Sequence, residues 1–437
     1  MGYPGRHNRR MNTLELYVVK SGDTLHQIAR RYAAPVEGII SANQLQNPDA
    51  LSVGQALVIP GSEARRTVGR GDTLYSIARR YGVSLPRLAA ANPQIVNPNR
   101  IYPGQTVVIP TDGSQMREII VNGYITDAAD STLDAALPYL TFLSPFSYRS
   151  DRQGNLTPTF RLNLALSGGH RTANLLTLTN LMEEGGFSSQ IAHVILTDQA
   201  AQDNFLKNVE ALLGQGGWYG VNVDFEYVYQ FDQESYNQFL RRLTERMHHL
   251  GYIVVTALAP KLSEGQQGLL YSAHDYAAHG RTVDYVVLMT YEWGYTYGPA
   301  MAVAPLNMVR RVLDYATQVM PAEKILMGVP NYGYDWTLPF VQGTAARSLT
   351  NIDAVTLAGQ VGASIQYDQA AQSPFFRYYG GDGKQHEVWF EDARSLRAKY
   401  ALVNEYGLAG VSFWNLNNLF RTNFIVLESM FHVEKVL

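Results

Sequence analysis

Along residues 17–110 the apolar positions fall into two stretches that repeat one another. Residues 17–60 read YVVKSGDTLHQIARRYAAPVEGIISANQLQNPDALSVGQALVIP, and residues 67–110 read TVGRGDTLYSIARRYGVSLPRLAAANPQIVNPNRIYPGQTVVIP. In each copy a short run of β type (17–19; 67–68) leads into Gly-Asp-Thr. Apolar residues then recur at helical spacing: Leu25, Ile28, Ala29 and Tyr32 in one copy, Leu74, Ile77, Ala78 and Tyr81 in the other. Asp23 and Asp72, or the threonines that follow them, can cap that helix by accepting backbone N–H groups, and the aspartates are read first as the caps. A second helix ends near Asn43 or Asn92, a glycine turn follows, and ALVIP or TVVIP closes the unit as a strand. Each copy is predicted as a βααβ module, over 16–60 and 66–110. Residues 61–66 and 111–115 read as linkers and 1–15 as a disordered leader.

After residue 116 the pattern changes to apolar strands separated by helical segments. The candidate strands are 118–125, 139–144, 175–180, 220–226, 252–260, 284–292, 324–333 and 407–415. Eight such runs over 116–437 predict the α/β class and a closed (β/α)₈ barrel. The spacing breaks once. The long crossover 334–406 holds a hairpin-like pair, 375–381 and 384–392, and predicts an insertion of about 337–395 at the barrel mouth, before the last strand. LALSGG at 164–169 reads as a helix C-cap turn and not as a strand.

The fourth run, GVNVDFE at 220–226, carries the candidate chemistry. Strand alternation puts Asn222, Asp224 and Glu226 on one face and Val221, Val223 and Phe225 on the other. The apolar face suits the helix layer, so the polar face points into the barrel. Two acids buried there without partners are costly, which favours a functional site at the C-terminal strand end. At about 3.3 Å per residue the two carboxylates stand roughly 6.5–7 Å apart. Burial and mutual repulsion raise one pKa, leaving an acid able to protonate a glycosidic oxygen.

Composition changes this picture little. A hydrophobic fraction of 46% suits a large core, and 28 tyrosines do not separate core-edge rings from sugar-stacking ones. The net charge of −3 gives no case for nucleic acid. The charge is uneven, with 13 Lys and Arg against 7 Asp and Glu up to residue 115 and 22 against 31 after it. A basic front on an acidic back suits docking to an anionic polymer, or is the chance variation of small modules. There is no cysteine, and the ten histidines lack metal-ligand spacing, so neither metal nor cofactor is expected. No stretch reads as a membrane span or as a secretory signal. A monomer is expected.

The repeated module resembles the LysM family. That resemblance implies binding of N-acetylglucosamine-containing glycans, peptidoglycan or chitin, through Gly22, Asp23, Thr24 and Asn43–Leu45, and through Gly71, Asp72, Thr73 and Asn92–Gln94. GVNVDFE resembles the glycoside hydrolase family 18 signature Asp-Gly-x-Asp-x-Asp-x-Glu, with Tyr219 and Asn222 in place of the first two aspartates, so its carboxylate ladder is shortened. The runs 121–127, 144–149, 178–188, 288–299, 328–336 and 410–418 resemble the spore cortex-lytic, peptidoglycan N-acetylglucosaminidase branch of that family.

This resemblance implies roles. Glu226 is the general acid/base. Asp224 orients the substrate's 2-acetamido group, whose oxygen is the nucleophile, and Tyr291 hydrogen-bonds that group. Trp414 floors the sugar, or is an ordinary core aromatic. Asn222, Met289, Tyr124, Asn180 and Asn331 are further candidate substrate contacts. Glu292 is either a substrate contact or half of a structural ion pair. The implied activity is hydrolysis of the bond following N-acetylglucosamine in peptidoglycan, in the spore cortex or cell wall. The alternatives are a chitinase and an inactive wall-binding protein.

Overall fold

The computed structural model describes residues 14–437 apart from 33, 61–63, 82–84, 91, 93, 94, 96, 98, 99, 110–115 and 382. Most of the expected leader, the linker 111–115 and Gln94 lie outside the described residues. The chain divides into two compact units, Met1–Arg117 with Arg421–His432, and Glu118–Phe420 with Val433–Leu437.

In the first unit each module is βααβ. Glu15–Val18 pairs antiparallel with Ala56–Ile59 around helices Leu25–Tyr32 and Val36–Asn43. Ala64–Thr67 pairs with Thr106–Ile109 around Leu74–Tyr81 and Leu85–Ala90. The second module's strand thus begins inside the stretch expected to be linker. The apolar residues at helical spacing form the cores: Leu25, Ile28, Ala29 and Ile39 with Leu57, and Leu74, Ile77, Ala78 and Leu88 with Val107. Gly22 and Gly71 sit at φ of 83° and 86°, where an L side chain is strained, so the tight turn requires glycine.

The second unit is a closed barrel. Its parallel strands are β1 (Glu118–Ile125), β2 (Phe142–Pro145), β3 (Ala173–Thr179), β4 (Gly220–Asp224), β5 (Ile253–Leu258), β6 (Tyr285–Leu288), β7 (Ile325–Pro330) and β8 (Gly410–Trp414). Each pairs with the next, and β8 pairs with β1 to close the ring. All eight expected runs are strands, but several stop short of their expected ends. β4 ends at Asp224, β6 at Leu288 and β7 at Pro330. The residues past those ends form the active face. Alternation sends Tyr124, Phe142, Leu175, Val255, Val287 and Leu326 into the barrel as a packed interior.

The insertion is larger than a hairpin. Strands Gly333–Leu338, Arg347–Leu349, Gln366–Asp368, Ser373–Tyr379 and Gln385–Trp389 form one antiparallel sheet, with the expected hairpin pair near its centre and helix Asn351–Gln360 packed beside it. Gly333 belongs to this sheet and not to β7. LSGG at 166–169 is a single helical turn, and β3 follows it.

Candidate active site

The end of β4 is set by its apolar face. Phe225 points into the helix layer, stacked on Phe239 (centroids 5.8 Å apart, planes at 11°) and Tyr236 (6.0 Å, 20°), with Phe205 edge-on. That anchor leaves Asp224 and Glu226 facing the other way, into a cavity of about 550 Å³. Tyr124 from β1, Met289, Tyr291 and Glu292 past β6, and Trp414 at the end of β8 line the same cavity. Trp414 packs edge-on against Phe146 (4.8 Å) and Tyr124 (5.6 Å), which fixes the plane of its indole. Gly328 on β7 makes room for Tyr291: a Cβ there would stand 2.7 Å from the tyrosine ring.

Neither acid is hydrogen-bonded through its side chain among the described residues, and Asp224 Oδ1 is buried without a partner. Burial pushes the Asp224 carboxyl up to about 7. Burial, then the charges of Asp224 and Glu292, hold Glu226 well above the usual carboxylate range. The pair therefore keeps a proton near neutral pH, as a general acid requires. Burial also raises Tyr291, which stays a neutral O–H donor. Two acids, a hydroxyl donor and a tryptophan face at one end of a barrel can bind a sugar, protonate its glycosidic oxygen and stabilise positive charge at the anomeric centre.

Other expected contacts lie elsewhere. Asn222 is one pleat below the cavity and fully buried. Its Nδ2 donates to Tyr124 Oη (2.8 Å) and Ser144 Oγ (3.1 Å), so its amide steadies Tyr124. Asn180 is also buried and grips backbone. It donates to the carbonyls of Glu226 (2.8 Å) and Ser188 (3.0 Å) and accepts from the Glu226 N–H (3.0 Å). Asn331 donates to the carbonyls of Asn415 and Asn418 and lines a second cavity of about 330 Å³, where Trp414 also stands. Glu292 has no ion pair among the described residues. It accepts from the hydroxyls of Tyr332 and Tyr334, so the ion-pair alternative is corrected.

Sequence reasoning passed over Phe187, Tyr227, Pro260, Tyr271, Trp293 and Tyr295, which also line the cavity. Their signal is position: Tyr227, Pro260 and Trp293 lie just past the ends of β4, β5 and β6. Nothing in the sequence marked His274, whose ring nitrogen meets the Phe225 carbonyl at 3.1 Å.

In the modules the motif residues are occupied. Asn43 Nδ2 donates to the carbonyls of Ile39 (2.8 Å) and Val58 (2.7 Å), and its Oδ1 accepts from Val58 N–H (2.7 Å). Asn92 repeats this with Leu88 and Val108 at 2.7–2.8 Å. Both asparagines tie the second helix to the closing strand, a structural role beside the glycan contact expected of them. The aspartates do not cap the helix. Asp23 accepts from Tyr17 Oη (2.6 Å) and Lys20 N–H (2.7 Å), and Asp72 from Gly69 N–H (2.9 Å). Thr24 and Thr73 are the caps, accepting from the N–H of Gln27 and Ser76.

Comparison with known proteins adds the relatives. The profile of glycosyl hydrolases family 18 matches residues 177–418, and that of the LysM domain matches 17–60 and 67–110. The chain is 42% identical over 431 residues to the cortical fragment-lytic enzyme of Bacillus subtilis (strain 168), covering 97% of this chain and 99% of that protein. It is similar to the crystal structure of the Bacillus megaterium QM B1551 spore cortex-lytic enzyme SleL, with a TM-score of 0.83 and 36% identity over 97% of this chain and 100% of that one. A chitinase from Chromobacterium violaceum ATCC 12472 is more distant, with a TM-score of 0.66 and 28% identity over 71% of this chain and 98% of that one.

Proposed function

The chain belongs to glycosyl hydrolases family 18 and carries two LysM domains, and on that premise we propose that this glycoside hydrolase cleaves the peptidoglycan of the spore cortex. The bond is the one that follows N-acetylglucosamine, toward muramic acid or its lactam. The names of the relatives support the cortex as substrate. One observation supports the chemistry most: Asp224 and Glu226 line one cavity, and neither side chain makes a hydrogen bond among the described residues.

Glu226 gives its proton to the glycosidic oxygen as that bond to C1 breaks. Asp224 and Glu226 leave the same strand end two residues apart. A carboxylate nucleophile has to stand across the sugar from the acid. Glu292 is engaged by two tyrosine hydroxyls, and membership of the family implies that the substrate's own acetamido oxygen attacks C1. The oxazolinium ion carries positive charge, which Asp224 stabilises in a water-poor site while Tyr291 holds the acetamido group. Glu226, now a carboxylate, takes a proton from the water that reopens the ring at C1, and the configuration is retained. The LysM modules hold the enzyme on the insoluble wall, two weak sites in tandem gaining by effective concentration. The protein would act in the spore or cell wall.

Mass spectrometry of muropeptides released from isolated cortex tests this reading. Borohydride-reduced N-acetylglucosamine at the new ends is the expected product. Reduced muramic ends would overturn the bond assignment, and cleavage of chitin oligosaccharides in preference to cortex would favour the chitinase alternative.

A further inference from the structure

Glu226 carries the proton in the proposed chemistry, yet its carboxyl group touches no hydrogen-bonding group of the protein among the described residues. That suits an acid whose O–H must stay free for the substrate, and it leaves the side chain without a hydrogen bond of its own. The placement of its Cα is held through the backbone. The peptide units on either side of its Cα are held by side chains from two other parts of the barrel. On the β3 side, Asn180 accepts from the Glu226 N–H at 3.0 Å and donates to the Glu226 carbonyl at 2.8 Å. On the β5 side, His274 reaches the Phe225 carbonyl with Nε2 at 3.1 Å.

The histidine's tautomer is dictated by its neighbours. A main-chain N–H can only donate, and that of Ala259 points at His274 Nδ1 at 2.9 Å, so Nδ1 is the acceptor and Nε2 carries the proton to Phe225. The loop that bears His274 is tied down in turn. Lys261 Nζ donates to the His274 carbonyl (3.0 Å), and Tyr276 Oη accepts from Lys261 N–H and donates to the Ala259 carbonyl. Both His274 and Asn180 are buried, and neither lines the cavity, so neither touches substrate there.

We propose that Asn180 and neutral His274 are positioning residues for the general acid, a two-sided clamp on the 225–226 backbone that aims the Glu226 carboxyl at the glycosidic oxygen. The proposal rests on the assignment of Glu226 as acid. A displacement of about 1 Å in such a group costs on the order of 10²-fold in rate. The loss falls on proton donation, and so depends on how much the leaving group needs a proton.

The test compares two substrates in the full-length enzyme: a chitooligosaccharide or cortex fragment, whose leaving alkoxide needs the acid, and a 2,4-dinitrophenyl N-acetylglucosaminide, whose leaving group does not. Asn180→Ala and His274→Phe should each lose about 10- to 100-fold in kcat on the first substrate. On the second they should stay within about 3-fold, with KM little changed on both. His274→Gln, which keeps a donor and an acceptor, should recover part of the loss. Glu226→Gln is the reference. If it does not show the same dependence on the leaving group, the acid assignment fails and the clamp with it. If it does, and folded Asn180→Ala and His274→Phe lose both substrates equally or neither, the clamp is wrong. Should either variant not fold, Asn180→Asp keeps the acceptor for Glu226 N–H but removes the donor to its carbonyl. It must show the same selective loss, and a uniform loss or none overturns the proposal.

Discussion

Asp23 and Asp224 are both acids in motifs that resemble a glycan-handling family, and the structure treats them in opposite ways. Asp23 takes a tyrosine hydroxyl and a backbone N–H on one carboxylate oxygen, Oδ2, and these bonds hold its pKa below the usual carboxylate range. Asp224 is buried, its Oδ1 has no hydrogen-bond partner among the described residues, and burial raises its pKa to about 7. The asparagines divide likewise, since Asn43 and Asn92 spend their amides on stitching a module together. A motif residue whose hydrogen bonds are all made locally is explained by the fold. A buried polar group left unsatisfied costs on the order of 1–3 kcal/mol, and that cost is recovered only when substrate arrives. Asp224 thus keeps unsatisfied hydrogen-bonding capacity beside the cavity, whereas the two module asparagines use theirs within the module.

The largest test of this contrast removes the unsatisfied acids. Glu226→Gln should lower kcat on cortex fragments by about 10²–10⁴-fold with its circular dichroism and wall binding unchanged. Asp224→Asn should lose most of its turnover and Tyr291→Phe less, because the phenol supports a charge that Asp224 balances directly. Near wild-type turnover in Glu226→Gln would remove the acid from the scheme. A substrate bearing hydroxyl in place of the 2-acetamido group should be cleaved hardly at all, and its efficient cleavage would show that the protein supplies a nucleophile.

The same acids should register in stability. The carboxyl of Asp224 titrates near 7 when folded and near about 3.9 in an unfolded chain, so the folded state binds the proton more tightly. The stability linked to that proton is complete below about pH 4 and is lost as pH rises through about 7. Asp224→Asn has no such proton to lose. Its urea midpoint should therefore exceed that of the wild type at pH 8 and approach it at pH 4, by a difference of at most about 4 kcal/mol. Parallel pH profiles for the two proteins would contradict the buried, unpaired state of Asp224.

Substitutions in the modules should act on folding instead. Asn43→Ala strands the Val58 N–H and two carbonyls, and Asn92→Ala does the same around Val108, so each should cost its module about 2–3 kcal/mol. Limited proteolysis of the module against temperature reads this directly. Binding to purified sacculi should stay unchanged at temperatures where the module remains folded. Weaker binding with unaltered proteolytic resistance would show these asparagines to be glycan ligands.

The legibility of the two regions follows the same division. The eight barrel strands were readable because each is predominantly apolar, and Asp224 and Glu226 stood out as charge inside such a run. The ends of β6 and β7 were not, because apolar residues continue past Leu288 and Pro330 into the loops that build the cavity. Three-residue strands such as Arg347–Leu349 and Gln366–Asp368 are too short to show alternation, so only the central hairpin of the insertion was visible. Asn222 stood out by strand alternation and Asn180 only through the family resemblance, and neither signal tells whether an amide faces substrate or the protein itself. His274 sits alone in a loop with no pattern around it. Its role exists only once β4 and β5 lie side by side.

The smallest effect concerns which residue starts each module's first helix. The helices begin at Leu25 and Leu74, which makes Thr24 and Thr73 the residues in the capping position. Thr73 Oγ1 accepts from Ser76 N–H at 3.0 Å and Ser76 Oγ accepts from Thr73 N–H at 2.9 Å, a reciprocal pair that satisfies two otherwise orphaned donors. Thr24 and Gln27 make the same exchange at 3.3 and 3.2 Å, so the second module holds the tighter version. Thr73→Ala should cost about 1 kcal/mol of module stability, Thr24→Ala no more than that, and Thr→Ser at either position close to nothing, because the hydroxyl is kept. Asp23→Asn and Asp72→Asn retain an oxygen for Lys20 N–H and Gly69 N–H and should leave the helix start intact. If the aspartates were the caps, the order would invert: Thr→Ala would be silent and Asp→Ala would fray the first turn, which amide exchange at Gln27 and Ser76 would report.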